Sequence, residues 1–241
     1  MSGVRIEVCV DSLASLRAAI NGGADRIELC CALEVGGLTP STGLLLAAAQ
    51  SSVPVHAMMR PRGGDFVFAP AELDQMTDDV IACREAGLAG VVIGASHGGA
   101  LDGAALSLRA RAAGPLSLTL HRVFDLLEDP AAAIELAIDL GIDRILTSGG
   151  ATAAEAGIAA IRRHVDQADG RLAIMAGGGI HAGNVDLIVR QTGVTDIHGS
   201  FSRQVRRYPQ PVRQFGFAAT DALAQTDARA VKAVRGVLEA I

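Results

Sequence analysis

Aromatic side chains are scarce in this chain: Trp is absent, Tyr occurs once, and the three aromatic residue types together make up 3% of the sequence. Hydrophobic residues nevertheless account for 50% of it, so a large core has to be built from aliphatic side chains. Four cysteines among 241 residues are too few for a disulfide-based fold of this size. The composition therefore predicts free thiols in a reducing compartment.

Long apolar runs and basic clusters are missing as well. No stretch approaches about 20 apolar residues without a charge or a Gly, and the opening residues MSGVRIEVCV lack the apolar run of a signal peptide. The net charge of −5 argues against nucleic acid and anionic membrane surfaces as partners. We therefore expect a soluble, cytoplasmic protein with no nucleic-acid and no membrane partner.

Short apolar runs alternate with helical patterns along the whole chain. Strands are predicted at 6–10, 26–30, 54–60, 90–93, 116–121, 144–147, 172–175 and 196–198. A helix-ending Gly, two spacer residues and a strand recur in GGADRIEL, GLAGVVIG, GIDRILTS and GVTDIHGS. Eightfold strand–helix alternation predicts an α/β protein with a single (β/α)8 TIM-like barrel over 1–241, closed by a C-terminal helix at 221–240.

Alternation along the strands assigns polar side chains to the barrel interior. The segments EVC (7–9) and ELC (28–30) share one pattern, in which the Glu and the Cys point inward and the residue between them points to the helices. The predicted interior holds Glu7, Glu28, His56, Arg60, His121 and His198. Buried charges need partners, and the predicted ion pairs are Arg26 or Arg144 with Asp196, and Arg60 with Glu28.

Glycine-rich segments at the ends of the last two strands indicate an anion site. AGGGI (176–180) follows strand seven and HGS (198–200) follows strand eight, where such barrels often bind phosphate through backbone N–H groups. A tight turn without a ligand is the alternative. The anion-binding candidates are Arg60, Arg62, Ser148, Gly177, Gly178, Gly179, His198 and Ser200.

Two further loops carry candidate catalytic groups. In RPRGGDF, Arg60 and Arg62 can clamp a carboxylate or phosphate, and a structural Arg60–Asp65 pair is the alternative. In HRVFD, His121 is a candidate acid or base that Asp125 would orient, and a hydrogen-bonded structural histidine is the alternative. The candidate catalytic residues are His121, Asp125, Arg60 and Glu28. No motif defines a reaction, so the sequence leaves open whether the protein is an enzyme.

Soft donors on adjacent strands indicate a copper site. Cys9 and Cys30 are predicted to face the interior about 5 Å apart if the two strands are in register, and Met58 follows on the third strand. Thiolates and thioethers are the ligands that Cu(I) prefers. Cys31 points the other way. Buried cysteines also serve as small hydrophobic residues, so core packing is the alternative.

Several motifs together resemble the CutC copper-homeostasis family. In order along the chain they are EVCVDS, GGADRIELC, GGLTPS, RPRGGDF, HRVFD, ILTSGG and GGGI, and the similarity extends over about 6–205. The resemblance implies a TIM-like barrel, a cytoplasmic location and Cu(I) binding, with Cys9 and Cys30 matching family cysteines. It also implies an oligomer, for which we expect a homodimer.

The chain departs from that family at two places. It has HGSFSR (198–203) where the family has a pattern like His-Ser-Ser-Ala-Arg, and Ala176 where Pro often precedes the three glycines. The resemblance therefore assigns no role to Ser200 or Arg203. We expect a CutC-type copper-homeostasis protein that binds and handles intracellular Cu(I). The alternative is a TIM-barrel enzyme or sensor for a small anionic metabolite, either phosphorylated or carboxylated.

Overall fold

Eight parallel strands close into a barrel in the computed structural model, which describes residues 3–218 and 220–241. The strands are Arg5–Val10 (β1), Arg26–Leu29 (β2), Val55–Met58 (β3), Gly90–Ile93 (β4), Ser117–Leu120 (β5), Arg144–Thr147 (β6), Ala173–Gly177 (β7) and Asp196–Gly199 (β8). Each strand pairs with the next along the chain, and β8 pairs with β1. The predicted (β/α)8 barrel is confirmed.

Helices follow the strands and cover the outside of the barrel. They are Leu13–Asn21 (α1), Thr42–Ala48 (α2), Pro70–Glu85 (α3), Gly103–Ala113 (α4), Pro130–Asp139 (α5), Ile158–Ala168 (α6), Val185–Thr192 (α7), Gln210–Gln214 (α8) and Ala228–Leu238 (α9). Ser12 and Asp129 begin α1 and α5 by accepting hydrogen bonds from N–H groups of the first turn. In the described ranges, no helix has the length and apolar character needed to cross a membrane.

Aliphatic and polar side chains are separated by the barrel wall. Ile6, Val8 and Ile27 are fully buried and belong to the aliphatic core between strands and helices. Inside the barrel, Arg26 donates hydrogen bonds to Glu7 and, over 3.0 Å, to Asp196. The predicted Arg26–Asp196 ion pair is thus confirmed, and it neutralises charges that would otherwise be very costly to bury.

Arg144, the other predicted partner of Asp196, bonds to hydroxyl groups instead. Arg144 donates to the hydroxyl oxygens of Thr119 and Ser117 over 2.9 and 3.0 Å. His56 lies 3.4 Å from the same guanidinium. Burial, aided by the charge of Arg144, lowers the pKa of His56 to about 4, so its imidazole is neutral near pH 7.

A hairpin replaces the first part of the predicted C-terminal helix. Residues 222–226 form a strand that pairs antiparallel with Ser202–Arg207, and helix α9 begins only at Ala228. The prediction of a helix over 221–240 is therefore wrong at its start. The Ala-rich sequence ALAQT favours a helix, but pairing with the preceding strand and a hydrogen bond from Thr226 N–H to Ser15 Oγ fix it as a strand. We call these two strands, together with the described residues 208–218 and 220–221 between them, the C-terminal hairpin.

Candidate functional site

A cavity of about 530 Å³ opens at the carboxyl ends of the strands, and we call it the mouth cavity. Active sites of this fold lie at that end because the loops after the strands converge there. The C-terminal hairpin supplies one side of the cavity, including Tyr208 and Phe217. The candidate residues that line it are Cys9, Glu28, Met58, Arg60, His121, Gly178, Gly179, His198 and Ser200.

Three ligand-type side chains meet at the inner end of this cavity. The Sγ atom of Cys9, a carboxylate oxygen of Glu28 and a ring nitrogen of His198 all lie within 4.8 Å of one another. All three residues are at least nine-tenths buried. Among the described residues, Glu28 Oε1 has no hydrogen-bond partner, although it is shielded from solvent. An unpartnered buried carboxylate oxygen next to a thiol and an imidazole fits a cation site.

The stagger of the barrel strands explains this grouping. Cys9 lies opposite Glu28 in the β1–β2 register, and Glu7 lies opposite Arg26. Cys30 is therefore two residues farther along than the partner of Cys9, and the expected side-by-side pair of thiols is wrong. Strands of a closed barrel are tilted and displaced relative to their neighbours, so equivalent positions of two matching motifs do not lie level.

Cys30 comes directly after β2, two residues beyond Glu28, and does not line the mouth cavity. Its Sγ atom is 3.5 Å from Glu28 Oε2, and the residue is fully buried against Met58 and Val92. Burial, reinforced by the charge of Glu28, raises the pKa of the Cys30 thiol well above its usual value. The thiol is therefore protonated and packed, with Met58 between it and the open cavity wall.

His198 is held between two carboxylates. Its Nδ1 atom is 2.8 Å from Glu7 Oε1, and its Nε2 atom is 3.7 Å from Glu28 Oε2. Burial opposes the charge on the imidazole, but Glu28, the neighbouring Cys9 and the hydrogen bond to Glu7 raise the pKa of His198 well above its usual value. Burial likewise opposes the charge on Glu7, yet His198 and Arg26 hold the pKa of Glu7 well below its usual range. Glu7 thus fixes the ring and leaves Nε2 facing the cluster.

The arginines of the RPRGGDF loop serve two different purposes. Arg60 is 5% exposed and donates to the carbonyl oxygens of Val35, Gly37 and Gly64 over 2.8, 3.1 and 2.8 Å. The predicted pairs of Arg60 with Glu28 and with Asp65 are both wrong. The turns at 35–37 and 63–64 fold against the guanidinium, so their carbonyl oxygens accept its hydrogen bonds in place of the two carboxylates.

Arg62 lies outside the mouth cavity. Its Nε atom is 2.6 Å from Glu72 at the start of α3, and Nη1 is 3.1 Å from Asp65. The structure therefore does not bring Arg62 to the candidate ligand site. At the surface, Arg62 is bound by these two acidic residues, and its guanidinium lies over the Phe68 ring.

His121 is oriented by a backbone group. Its Nδ1 atom accepts a hydrogen bond from Val123 N–H over 3.1 Å, and its ring packs on Phe66 at a centroid distance of 4.7 Å. The expectation that Asp125 orients His121 is wrong, because the turn after β5 places that carboxylate toward β6. Burial and the charge of Arg60 lower the pKa of His121 to about 3, so its ring is neutral near pH 7.

Asp125 instead anchors the loop after β6. It accepts hydrogen bonds from Thr147 Oγ1 over 2.5 Å, from Gly150 N–H over 3.0 Å and from Arg122 Nε over 2.7 Å. The hydroxyl of Ser148 belongs to the same network, at 3.1 Å from Asp125 Oδ2. Ser148 is fully buried and does not line the mouth cavity.

Replacing Asp125 with Asn should lower the free energy of unfolding by about 2 kcal/mol at pH 7, because charge-assisted hydrogen bonds are lost. Burial raises the pKa of Asp125, but the bonds from Thr147 and Arg122 outweigh it and hold that pKa below its usual value. The stabilisation is therefore present above the usual pKa and is lost as the pH falls through the lowered one. Urea denaturation of D125N and wild type should converge in acid, and a constant difference from pH 7 to pH 3 would contradict this role.

The glycine segment after β7 has two distinct parts. Gly177 packs inside the barrel wall, where a Cβ atom would lie 2.6 Å from Leu146 Cδ1 and 3.3 Å from His198 Cβ. Gly178 and Gly179 line the mouth cavity with φ of +96° and +72°, a conformation that favours Gly. Ser200 also lines the cavity, close to Ser202 of the hairpin. An anion site at these backbone groups remains a prediction.

Sequence reasoning missed the outer wall of the cavity. The sequence analysis predicts a helix over 221–240 and no element at 202–207, and SRQVRR contains one apolar residue, Val205, so no alternation indicates a strand there. Glu28 and His198 were predicted as catalytic and anion-binding groups, and neither was predicted beside Cys9. The staggered repetition of Glu-x-Cys on β1 and β2 is the signal that points to that cluster.

The sequence profile of the CutC family matches residues 4–203. The chain belongs to the CutC family. A family protein CutC from Rhizobium meliloti (strain 1021) is 47% identical over 241 residues, covering 100% of this chain and 98% of that protein. One from Pasteurella multocida (strain Pm70) is 44% identical over 197 residues, covering 81% of each.

Solved structures agree with this membership. The putative copper homeostasis protein CutC from Streptococcus agalactiae is 33% identical and superposes with a TM-score of 0.78, covering 82% of this chain and 98% of that one. Phosphoribosylanthranilate isomerase from Thermotoga maritima superposes with a TM-score of 0.58 at 13% identity, over 99% of this chain and all of the other. The second likeness shows the barrel fold alone.

Proposed function

We propose that this CutC-family protein handles Cu(I) in copper homeostasis and binds it at the inner end of the mouth cavity. The observation that carries the proposal is the meeting of Cys9 Sγ, a His198 ring nitrogen and a Glu28 oxygen within 4.8 Å. The name of the Streptococcus agalactiae relative as a putative copper homeostasis protein supports the choice of metal. Reduced thiols at the site agree with a cytoplasmic location.

The donor set fits copper in its chemistry. A thiolate is the soft ligand that Cu(I) prefers, and an imidazole nitrogen also suits copper. His198 has the arrangement found in metal sites, in which a carboxylate holds one ring nitrogen and leaves the other for the metal. Glu7 is that carboxylate, at 2.8 Å from Nδ1, and Arg26 supports Glu7 from behind. The ring is therefore oriented before any metal arrives.

Cys30 is the second sulfur in this proposal. Its Sγ atom is 3.5 Å from Glu28 Oε2, so its thiol lies directly beside the three-residue cluster and would add a thiolate when a metal displaces its proton. Met58 packs on Cys30 and lines the cavity, which makes its thioether the third soft donor within reach. Cys9 is expected to dominate the affinity, because it alone among these sulfurs both lines the cavity and belongs to the three-residue cluster.

Cu(I) titrated without oxygen against a competing chelator should show one tight site per chain. The affinity should fall by at least about 100-fold in Cys9→Ser and by about 10- to 100-fold in Glu7→Gln, whose partner His198 loses its orientation. Cys30→Ser should weaken binding as well, since a sulfur donor is lost. Circular dichroism of each variant checks that the fold is retained.

Cys31→Ser is the matched control for these variants. Cys31 is adjacent to Cys30 in sequence, but its thiol donates to Thr39 O over 3.0 Å on the other side of the strand. Its replacement should leave the Cu(I) affinity within about twofold, a negligible free-energy change. An unchanged affinity in a folded Cys9→Ser/Cys30→Ser double variant would overturn the proposed site.

A further inference from the structure

Arg60 is a buried cation without an acidic partner. Its guanidinium uses three N–H groups on the carbonyls of Val35, Gly37 and Gly64. In the part of the chain that the structure describes, no carboxylate pairs with it and its Nε atom has no hydrogen-bond partner. Buried arginines are normally paired with an acid, because an uncompensated charge is costly. This arginine therefore has both a free donor and a free charge.

His121 presents a second free donor on the same wall. Because Val123 N–H donates to Nδ1, the proton of the neutral imidazole must be on Nε2. Within residues 3–218 and 220–241, this Nε2 atom has no hydrogen-bond partner, and the side chain is 3% exposed. A buried N–H group without an acceptor costs free energy that a suitable ligand would recover.

The two side chains pack on the same aromatic ring, Phe66, and the charge of Arg60 acts on the His121 ring. Phe66 contacts both side chains: the Arg60 guanidinium is 4.8 Å from its ring centre, and the His121 ring is 4.7 Å from it. Gly94 also lies against the His121 ring, since an added Cβ atom would be 2.6 Å from both ring nitrogens, and this close contact restricts rotation of the ring. Arg60 and His121 both line the mouth cavity, on the wall that also includes Phe66.

We propose that Arg60 and His121 form a binding site for the carboxylate group of a small organic acid. The site has one positive charge, from Arg60, and two N–H donors, which match one negative charge shared by two oxygens. A phosphate dianion matches it less well, because His121 adds a donor but no charge and the acidic residues Glu7 and Glu28 line the neighbouring interior. The cavity of about 530 Å³ leaves space for a small organic acid.

The test uses metal-free, ¹⁵N-labelled protein titrated with pyruvate, acetate and inorganic phosphate. Pyruvate and acetate should bind saturably and shift the His121 Nε2–H resonance, and phosphate should bind at least tenfold more weakly. The full-length chain is used throughout. Because no copper is present and Cys9 is unaltered, the outcome is independent of the proposed copper site.

Two substitutions of His121 separate its donor from its structural role. His121→Asn keeps an acceptor near Nδ1 for Val123 N–H but lacks the Nε2 donor, and it should weaken pyruvate binding about tenfold. His121→Gln places an amide N–H near the Nε2 position and should retain most of the affinity. Equal binding by wild type and a folded His121→Asn variant would overturn the proposal.

Substitutions of arginine provide the second arm. Arg60→Lys keeps the charge but removes the Nε–H donor and should weaken pyruvate binding at least tenfold. Arg62→Lys is the matched control, since Arg62 pairs with Glu72 and Asp65 outside the cavity, and it should bind as the wild type does. Equal losses in both variants would show that the effect does not come from the Nε–H donor of Arg60 in the cavity, which would also overturn the site.

Discussion

Replacing Arg26 with Met should lower the free energy of unfolding by about 3–5 kcal/mol, because two buried carboxylates lose their shared cation. The side chain of Arg26 is 6% exposed, and those of Glu7 and Asp196 are fully buried. Since the chain has no Trp, urea denaturation is best followed by far-ultraviolet circular dichroism. The variant should also disturb His198, which Glu7 holds.

Arg5→Met is the matched control for that experiment. Arg5 also bonds to Asp196, over 3.0 Å, but its side chain is 53% exposed. Solvent screens such a pair, so the expected loss is about 0–1 kcal/mol. Similar losses in the two variants would mean that burial does not set the contribution of Arg26, and would contradict its role as the buried counter-charge of Glu7 and Asp196.

Gly94→Ala should destabilise the protein by about 3 kcal/mol, through overpacking against a side chain that has nowhere to go. A Cβ atom at this position would lie 2.6 Å from both ring nitrogens of His121. The ring cannot retreat, because Phe66 packs against it and Val123 N–H holds Nδ1. Urea denaturation measures the loss, and the same variant should bind pyruvate poorly if His121 forms part of the carboxylate site.

Gly43→Ala in α2 provides the comparison for a glycine with free space. No atom lies within 4 Å of an added Cβ there, so Ala should leave the stability unchanged or raise it by up to about 1 kcal/mol. Removing the His121 ring tests whether the clash with that ring causes the loss of stability. In a His121→Ala background, Gly94→Ala should cost at least 1 kcal/mol less than in the wild type, as expected for residues in contact. Simple additivity would contradict the proposed clash.

Much of the barrel could be predicted from residue alternation alone. Ile6 and Val8 had to face an aliphatic layer, so Glu7 and Cys9 had to face inward, and the structure confirms this placement. Charge alone limited the partner of Asp196 to Arg26 or Arg144, and the structure shows that it is Arg26. Such predictions depend on local periodicity and on the cost of burying charge, and both can be evaluated one residue at a time.

The arrangement of the site depended on information that no single segment contains. The residue of β2 that lies opposite Cys9 is set by the stagger between neighbouring strands of the closed barrel, and it is Glu28. The partners of Arg60 are backbone carbonyls, which every residue has and which therefore leave no trace in the sequence. The strand at 222–226 exists because of its pairing with 202–207, which overrides a local preference for helix.

The wall of the mouth cavity comes partly from the barrel and partly from the C-terminal hairpin. The family match ends at residue 203, at the base of the hairpin, yet Tyr208, Phe217 and residues 222–226 line the cavity. The donors proposed to bind a metal or a carboxylate come from the barrel and its loops, whereas the hairpin supplies part of the cavity wall but none of these donors. Substitutions in the hairpin can therefore change which molecules enter this protein while leaving the chemistry at the bottom of the cavity as it is.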